Sequence, residues 1–205
     1  MKALRQPVAQ SRFGLVQVDA GDADLGESAL MRPLSQLREQ QLPVEVMTLT
    51  HAPILETRIL DWPDEAACAE YAAMLARRPA LRDAYLELRG ALGAGKTTFA
   101  RHLLRALGVE GRIKSPSYAV LEPYALPRLA VSHFDFYRFD DAREWEDAGF
   151  REVFAAPGLK LAEWPEKAEA LLPTPDLQLQ IDAPDESRRR VTLRACTPRG
   201  LELLR

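Results

Sequence analysis

The sequence predicts a three-layer α/β sandwich around a mixed sheet, and three observations carry that prediction. A glycine-rich loop at 90–97 sits between a strand-like and a helix-like segment. Short apolar runs alternate with helical patterns through the middle of the chain, and two period-2 segments near the C-terminus form an antiparallel hairpin. Strands alternating with helices build a parallel sheet covered on both faces, and a hairpin makes that sheet mixed.

The elements follow in order. Residues 1–50 are rich in small and acidic residues around Gly21-Asp22-Ala23-Asp24, carry scattered prolines and hold no sustained period. They are expected to be a weakly ordered N-terminal extension; a short helix over Ala29–Gln40 fits the pattern, and Met47 is a candidate start. The domain at 51–205 opens with a strand over Ile54–Leu60. Asp64 then caps a helix whose Ala67, Tyr71, Met74 and Leu75 share a face, and Arg77, Arg78 and Pro79 end it. Tyr85–Leu88 reads as a strand. Thr97–Leu107 reads as a helix with Phe99, Ala100, Leu103, Leu104 and Leu107 on one side and Gly108 as its stop.

Leu129–Phe134 and Leu159–Ala162 are apolar runs short enough to be buried strands, and each is closed by an acid. Between them, Asp141 and Glu144 form a capping-box pair for a short helix through Ala148, with Gly149 as its stop. Pro165 suits the first turn of a helix reaching Leu172. Leu177–Ile181 and Val191–Arg194 alternate as the hairpin, around a turn carrying Arg188, Arg189 and Arg190. Thr197 and Pro198 fit the cap and first position of a terminal helix.

Composition narrows the function classes. The chain has 205 residues, 47% of them hydrophobic, enough for one packed domain. A net charge of -3 gives no basic footprint for direct nucleic-acid binding. Cys68 and Cys196 are the two cysteines, without metal-ligand spacing, which suits a reducing compartment better than a disulfide scaffold or zinc site. No apolar run reaches the ~20 residues needed to cross a bilayer, and the N-terminus lacks an apolar signal core. A cytoplasmic location is expected.

Gly90-Ala91-Leu92-Gly93-Ala94-Gly95-Lys96-Thr97 meets G-x-x-x-x-G-K-[ST] at every fixed position, in the required strand–loop–helix context. This is a P-loop, and it predicts a P-loop NTPase-like sandwich. Such a loop turns backbone N–H groups onto phosphate oxygens at a helix N-terminus, its lysine brings a charge to the outer phosphates, and its threonine hydroxyl can ligate Mg2+. Hydrolysis further needs an acid on the metal and a group that positions water. Asp135 and Glu163, each ending a strand, are the candidates, one for each task. His133 shares a strand face with Asp135 and is read as a packing or hydrogen-bonding residue. Trp164 is read as core or nucleotide-edge packing, and the arginine cluster at 188–190 as solvated charge.

Four motifs, Leu92–Phe99, Lys114-Ser115-Pro116-Ser117-Tyr118, His133-Phe134-Asp135-Phe136-Tyr137-Arg138 and Glu163-Trp164-Pro165, together resemble the bacterial TsaE family over about Asp61 to Leu204. The resemblance implies a P-loop ATPase that binds ATP and Mg2+. It further implies work with the partners TsaB and TsaD in placing threonylcarbamoyl on the adenosine next to the anticodon of ANN-decoding tRNAs, where TsaD does the transfer and tRNA is met only through the complex. Carried over by motif, Leu92, Gly93, Ala94, Gly95, Lys96, Thr97 and Thr98 bind nucleotide, Thr97 and Glu163 hold Mg2+, and Asp135 lies at the reacting phosphate. Glu65 matches a position near the nucleotide. The loop bearing Ser117 is the switch that registers ATP, and Ser117 joins Asp135 and Glu163 in the catalytic set. The family motif usually reads Ser-Pro-Thr; Ser117 keeps the hydroxyl and loses a methyl. Arg138 and a partner-supplied group are both candidates for transition-state charge.

Two enzymatic rivals and one of another class share the P-loop. A small-molecule or nucleotide kinase needs an arginine-bearing lid, for which no inserted segment is long enough. A GTPase needs Asn-Lys-x-Asp, which does not follow. A nucleotide-gated assembly factor needs no hydrolysis, and the two strand-end acids argue against it.

Overall fold

A computed structural model describes residues 53–116 and 118–205. The expected N-terminal extension and Ser117 lie outside the described residues. The architecture is α/β: a seven-stranded mixed sheet in the order β1-β7-β6-β2-β5-β4-β3. The strands are β1 (Glu56–Trp62), β2 (Tyr85–Arg89), β3 (Leu121–Leu126), β4 (Leu129–Asp135), β5 (Leu159–Glu163), β6 (Leu177–Asp182) and β7 (Arg189–Ala195). The helices are α1 (Glu65–Ala76), α2 (Lys96–Ala106), α3 (Ala142–Asp147), α4 (Phe150–Ala155) and α5 (Pro198–Leu204).

Four central strands run parallel: β2 pairs with β5 and β6, and β4 with β5. Their C-terminal ends therefore share one edge. β1, β7 and β6 pair antiparallel on one flank, and β3 pairs antiparallel with β4 on the other. β5 is buried at every position and β2 at all but its last, so both read as unbroken runs.

Alternation along the strands divides two cores. Leu86 and Leu88 of β2, Val131 of β4, and Leu159 and Leu161 of β5 pack toward Ala72 and Leu75 of α1, Phe99, Leu103 and Leu104 of α2, and Leu203 of α5. Tyr85, Phe134 and Ala162 belong to a second, aromatic cluster with Phe136, Phe139, Trp145 and Phe150. Helices thus cover both faces.

Local sequence explains the helix ends. The Asp64 carboxylate accepts from Ala67 N at 2.9 Å, Asp141 accepts from Arg143 N, and Thr197 accepts from Gly200 N. Gly149 stops α3 with φ +67 and opens α4, a helix the sequence reading did not include.

Several expectations need correction. On α1, Leu75 is buried and Ala67 and Tyr71 pack half-buried against the core as expected, joined by buried Cys68 and Ala72, while Met74 is exposed. The segment after Pro165 is a 3-10 turn of Pro165–Lys167 rather than a helix to Leu172, since Ala168 leaves helical geometry at φ -125 and ψ 16. β3 was not foreseen: its Pro123 argues against a central strand, and the sheet places it at an edge, where proline is tolerated. Arg189 and Arg190 stand in β7 and not in the hairpin turn.

Candidate active site

The loop after β2 is shaped by what it must clear. Gly90 has φ +139, and a Cβ there would stand 2.2 Å from the Ile181 carbonyl of β6, so only glycine lets the chain leave the sheet at this point. Gly95, at φ +111, turns the loop into α2. It has no side chain to cap the helix, and the first-turn N–H groups of Lys96, Thr97 and Thr98 are left for an anion. Phe99, Ala100, Leu103 and Leu104 hold α2 to the sheet, which fixes that N-terminus in place.

Lys96 is buried, and its Nζ donates to the carbonyls of Gly90 at 2.6 Å and Ala91 at 2.9 Å. The same ammonium lies 3.8 Å from the centroid of the Trp164 ring. Burial lowers the Lys96 pKa, against the opposing pull of the Glu163, Glu166 and Asp135 carboxylates. Trp164 takes φ +56, a left-handed conformation rare outside glycine, and its ring also meets Tyr137 at 5.0 Å. The turn out of β5 therefore puts an indole face against the loop lysine.

Three side chains line up beside the loop. Thr97 Oγ1 donates to Glu163 Oε2 at 2.7 Å, and His133 Nε2 lies 2.9 Å from Glu163 Oε1. His133 and Glu163 are buried. Asp135, paired in register with Glu163, is buried as well; it accepts from Ser115 Oγ and from Tyr137 N. The hydrogen bond from Ser115 ties the 114–118 loop to the strand-end acid.

The structure brings Lys96, Thr97, Asp135 and Glu163 to one edge of the sheet. Ala94 is buried in the loop, Leu92 is 76% exposed at its tip, and Thr98 is half-buried behind it. Glu65 sits in the first turn of α1, where it bonds His102 of α2 at 2.8 Å. Arg138 stacks on the exposed Tyr118 ring, 4.3 Å from its centroid.

Sequence reasoning missed Arg189. Its Nε donates to the Ala94 carbonyl at 2.8 Å, while Nη1 bonds the carbonyls of Asp185, Glu186 and Arg188. A strand on the far side of β6 thus braces the phosphate loop. The signal was available in the alternation of β7, which sets Arg189 in phase with Val191 and Leu193 on the face packed against α1 and α2. His133 does act as a hydrogen-bonding residue, and the partner it takes is Glu163.

The glycine loop, its buried lysine and the two strand-end acids form a P-loop site, and residues 62–191 match the model of the family described as threonylcarbamoyl adenosine biosynthesis protein TsaE. The chain belongs to the TsaE family. It is 42% identical over 101 residues to the tRNA threonylcarbamoyladenosine biosynthesis protein TsaE of Haemophilus influenzae, covering 49% of this chain and 64% of that protein. Against the protein of the same name from Bacillus subtilis it is 37% identical over 110 residues, covering 54% and 68%. The match to the Haemophilus TsaE therefore spans slightly less than two thirds of that relative's length. The crystal structure of Bacillus subtilis YdiB superposes with a TM-score of 0.58 at 26% identity, covering 73% of this chain and 92% of that one. The TsaE family and the P-loop α/β fold thus coincide in one chain. Among the described residues, no helix is long and apolar enough to cross a membrane.

Proposed function

We propose that this chain is the ATP-binding and ATP-hydrolysing subunit of the bacterial machinery that makes N6-threonylcarbamoyladenosine at position 37 of tRNA, acting with TsaB and TsaD. Residues 51–205 form the ATPase domain in this reading, and residues 1–50 extend it. The observation that carries it is the 2.7 Å bond between Thr97 Oγ1 and Glu163 Oε2, beside a glycine loop and a buried lysine.

The donor set fits Mg2+. Among the described residues, no group of three or more histidines, cysteines or acids could cage a metal. Mg2+ does not need such a cage, since it binds through one or two protein oxygens plus phosphate and water. The Thr97 hydroxyl and Glu163 carboxylate are hard oxygen donors already in contact, and they would hold the ion. When bound, Mg2+ offsets charge on the phosphates.

The chain's own groups divide the remaining work. The loop N–H groups from Leu92 to Thr98 bind phosphate oxygens, and Lys96 adds charge. Asp135, with one oxygen on Tyr137 N, is fixed to orient water at the reacting phosphate. Ser115 on its other oxygen makes the 114–118 loop, which includes Ser117, responsive to what occupies the site. Family membership supports TsaB and TsaD as partners, with tRNA met through them.

Two substitutions separate binding from turnover. Lys96→Ala is expected to weaken ATP binding itself, measured by calorimetry. Glu163→Ala should keep nucleotide binding but lose Mg2+-dependent phosphate release with the partners present. Normal hydrolysis by Glu163→Ala would remove the metal assignment, and ATP binding without turnover in the native protein would leave a nucleotide-gated assembly factor.

A further inference from the structure

His133 stands in β4 and is fully buried, on the strand face it shares with Asp135. Its Nε2 meets Glu163 Oε1 at 2.9 Å, while Nδ1 is buried without a hydrogen-bond partner among the described residues. For a neutral ring beside an ionised carboxylate, these two facts assign the ring proton. An N–H at Nδ1 would be a buried donor with no acceptor, and a bare Nε2 would set its lone pair against a carboxylate. The proton is on Nε2, and His133 donates to Glu163.

Both carboxylate oxygens of Glu163 then have assigned donors: His133 on Oε1 and Thr97 on Oε2. A glutamate has three side-chain torsions, and ordering them costs rotamer entropy. The histidine, locked inside the sheet, pins one oxygen so that the other can face only the Thr97 side.

We propose that His133 is a positioning residue that holds Glu163 for the metal ion, the outer partner of a carboxylate that binds Mg2+ together with Thr97. The inference rests on the reading of Glu163 as the metal-side acid. Outer partners of this kind typically contribute about 10- to 100-fold in metal affinity. The hydrogen bond of His133 goes to Glu163 and not to the loop, so it acts on the metal dependence and leaves metal-free nucleotide binding alone.

The test uses the full chain with a fluorescent methylanthraniloyl-ATP, bound first in EDTA and then titrated with Mg2+. His133→Leu is expected to bind the nucleotide normally in EDTA and to shift the Mg2+ midpoint up by ~10-fold or more. His133→Gln, whose amide nitrogen can reach Glu163, should restore the native midpoint, and the shorter His133→Asn should not. A native Mg2+ midpoint in His133→Leu, or a fall in EDTA binding that accounts for its whole effect, would overturn the proposal. If the leucine variant does not fold, the Asn and Gln variants decide, and equal midpoints in those two overturn it. Glu163→Ala, titrated in parallel, keeps the two readings apart. An unshifted midpoint there removes the metal-side role of Glu163; a shift there without one in the His133 variants removes only the role of His133.

Discussion

Arg189 shows how one side chain can set the rigidity of a binding loop it does not belong to. Its guanidinium fork bridges the Ala94 carbonyl and three carbonyls of the β6–β7 turn. A hydrogen bond from a charged donor contributes roughly 1.5–3 kcal/mol, and a loop that must be reordered on binding loses affinity accordingly. Arg189→Ala is expected to weaken ATP binding by about 10-fold, near the lower end of that range. Arg189→Lys should not restore it, because an ammonium cannot span the same four carbonyls. Equilibrium titration of both variants checks this. The cysteines make a second residue-scale case. Burial pushes the Cys68 thiol up to about 12, and Cys196 is raised by burial as well. Both stay as thiols at neutral pH, so a thiol reagent should label neither in the native protein and both in denaturant.

At the scale of elements, the segment His133–Phe136 joins stability to chemistry. Alternation turns His133 and Asp135 toward the phosphate loop, while Phe134 faces the aromatic cluster. There Phe134 stacks on Phe136 at 5.5 Å and on Phe154 at 4.9 Å, and meets Phe150 edge-on. Phe134→Ala should cost about 3–5 kcal/mol of folding stability in a denaturant titration. It should also reduce turnover of whatever remains folded, because Asp135 is held between the two phenylalanines. The exit of β2 is equally constrained. Gly90→Ala would drive a methyl group into the Ile181 carbonyl and is expected to destabilise the protein by more than ~1 kcal/mol, with nucleotide binding lost alongside. The parallel strands and α2 were legible in the sequence because the strands are short unbroken apolar runs, α2 carries a helical apolar period, and the P-loop marks the junction between β2 and α2. The edge strand β3 and the short α4 were not. Their residues are patterned by packing against β4 and the aromatic cluster, contacts that no local period records.

On the scale of the whole molecule, the mixed sheet brings groups that are far apart in the chain to one edge. Thr97, Asp135 and Glu163 come from three segments, and parallel pairing of β2, β5 and β4 aligns the ends that carry them. Their meeting was legible in outline, since strand ends in such a sheet converge by rule. The support behind them was not: His133 on Glu163 depends on the register of β4 against β5, Trp164 over Lys96 on the turn after β5, and Arg189 behind Ala94 on where β7 settles. The antiparallel flank thereby contributes to the site as well as to the core. The central claim is that this assembled edge hydrolyses ATP in service of tRNA modification. It is tested most directly by phosphate release from the pure protein, with Mg2+, in the absence and presence of a TsaB–TsaD complex and substrate tRNA. The account predicts slow release alone, stimulation by the complex, and threonylcarbamoyladenosine formed in the same reaction. Equal release with and without the complex, and no modified tRNA, would contradict it.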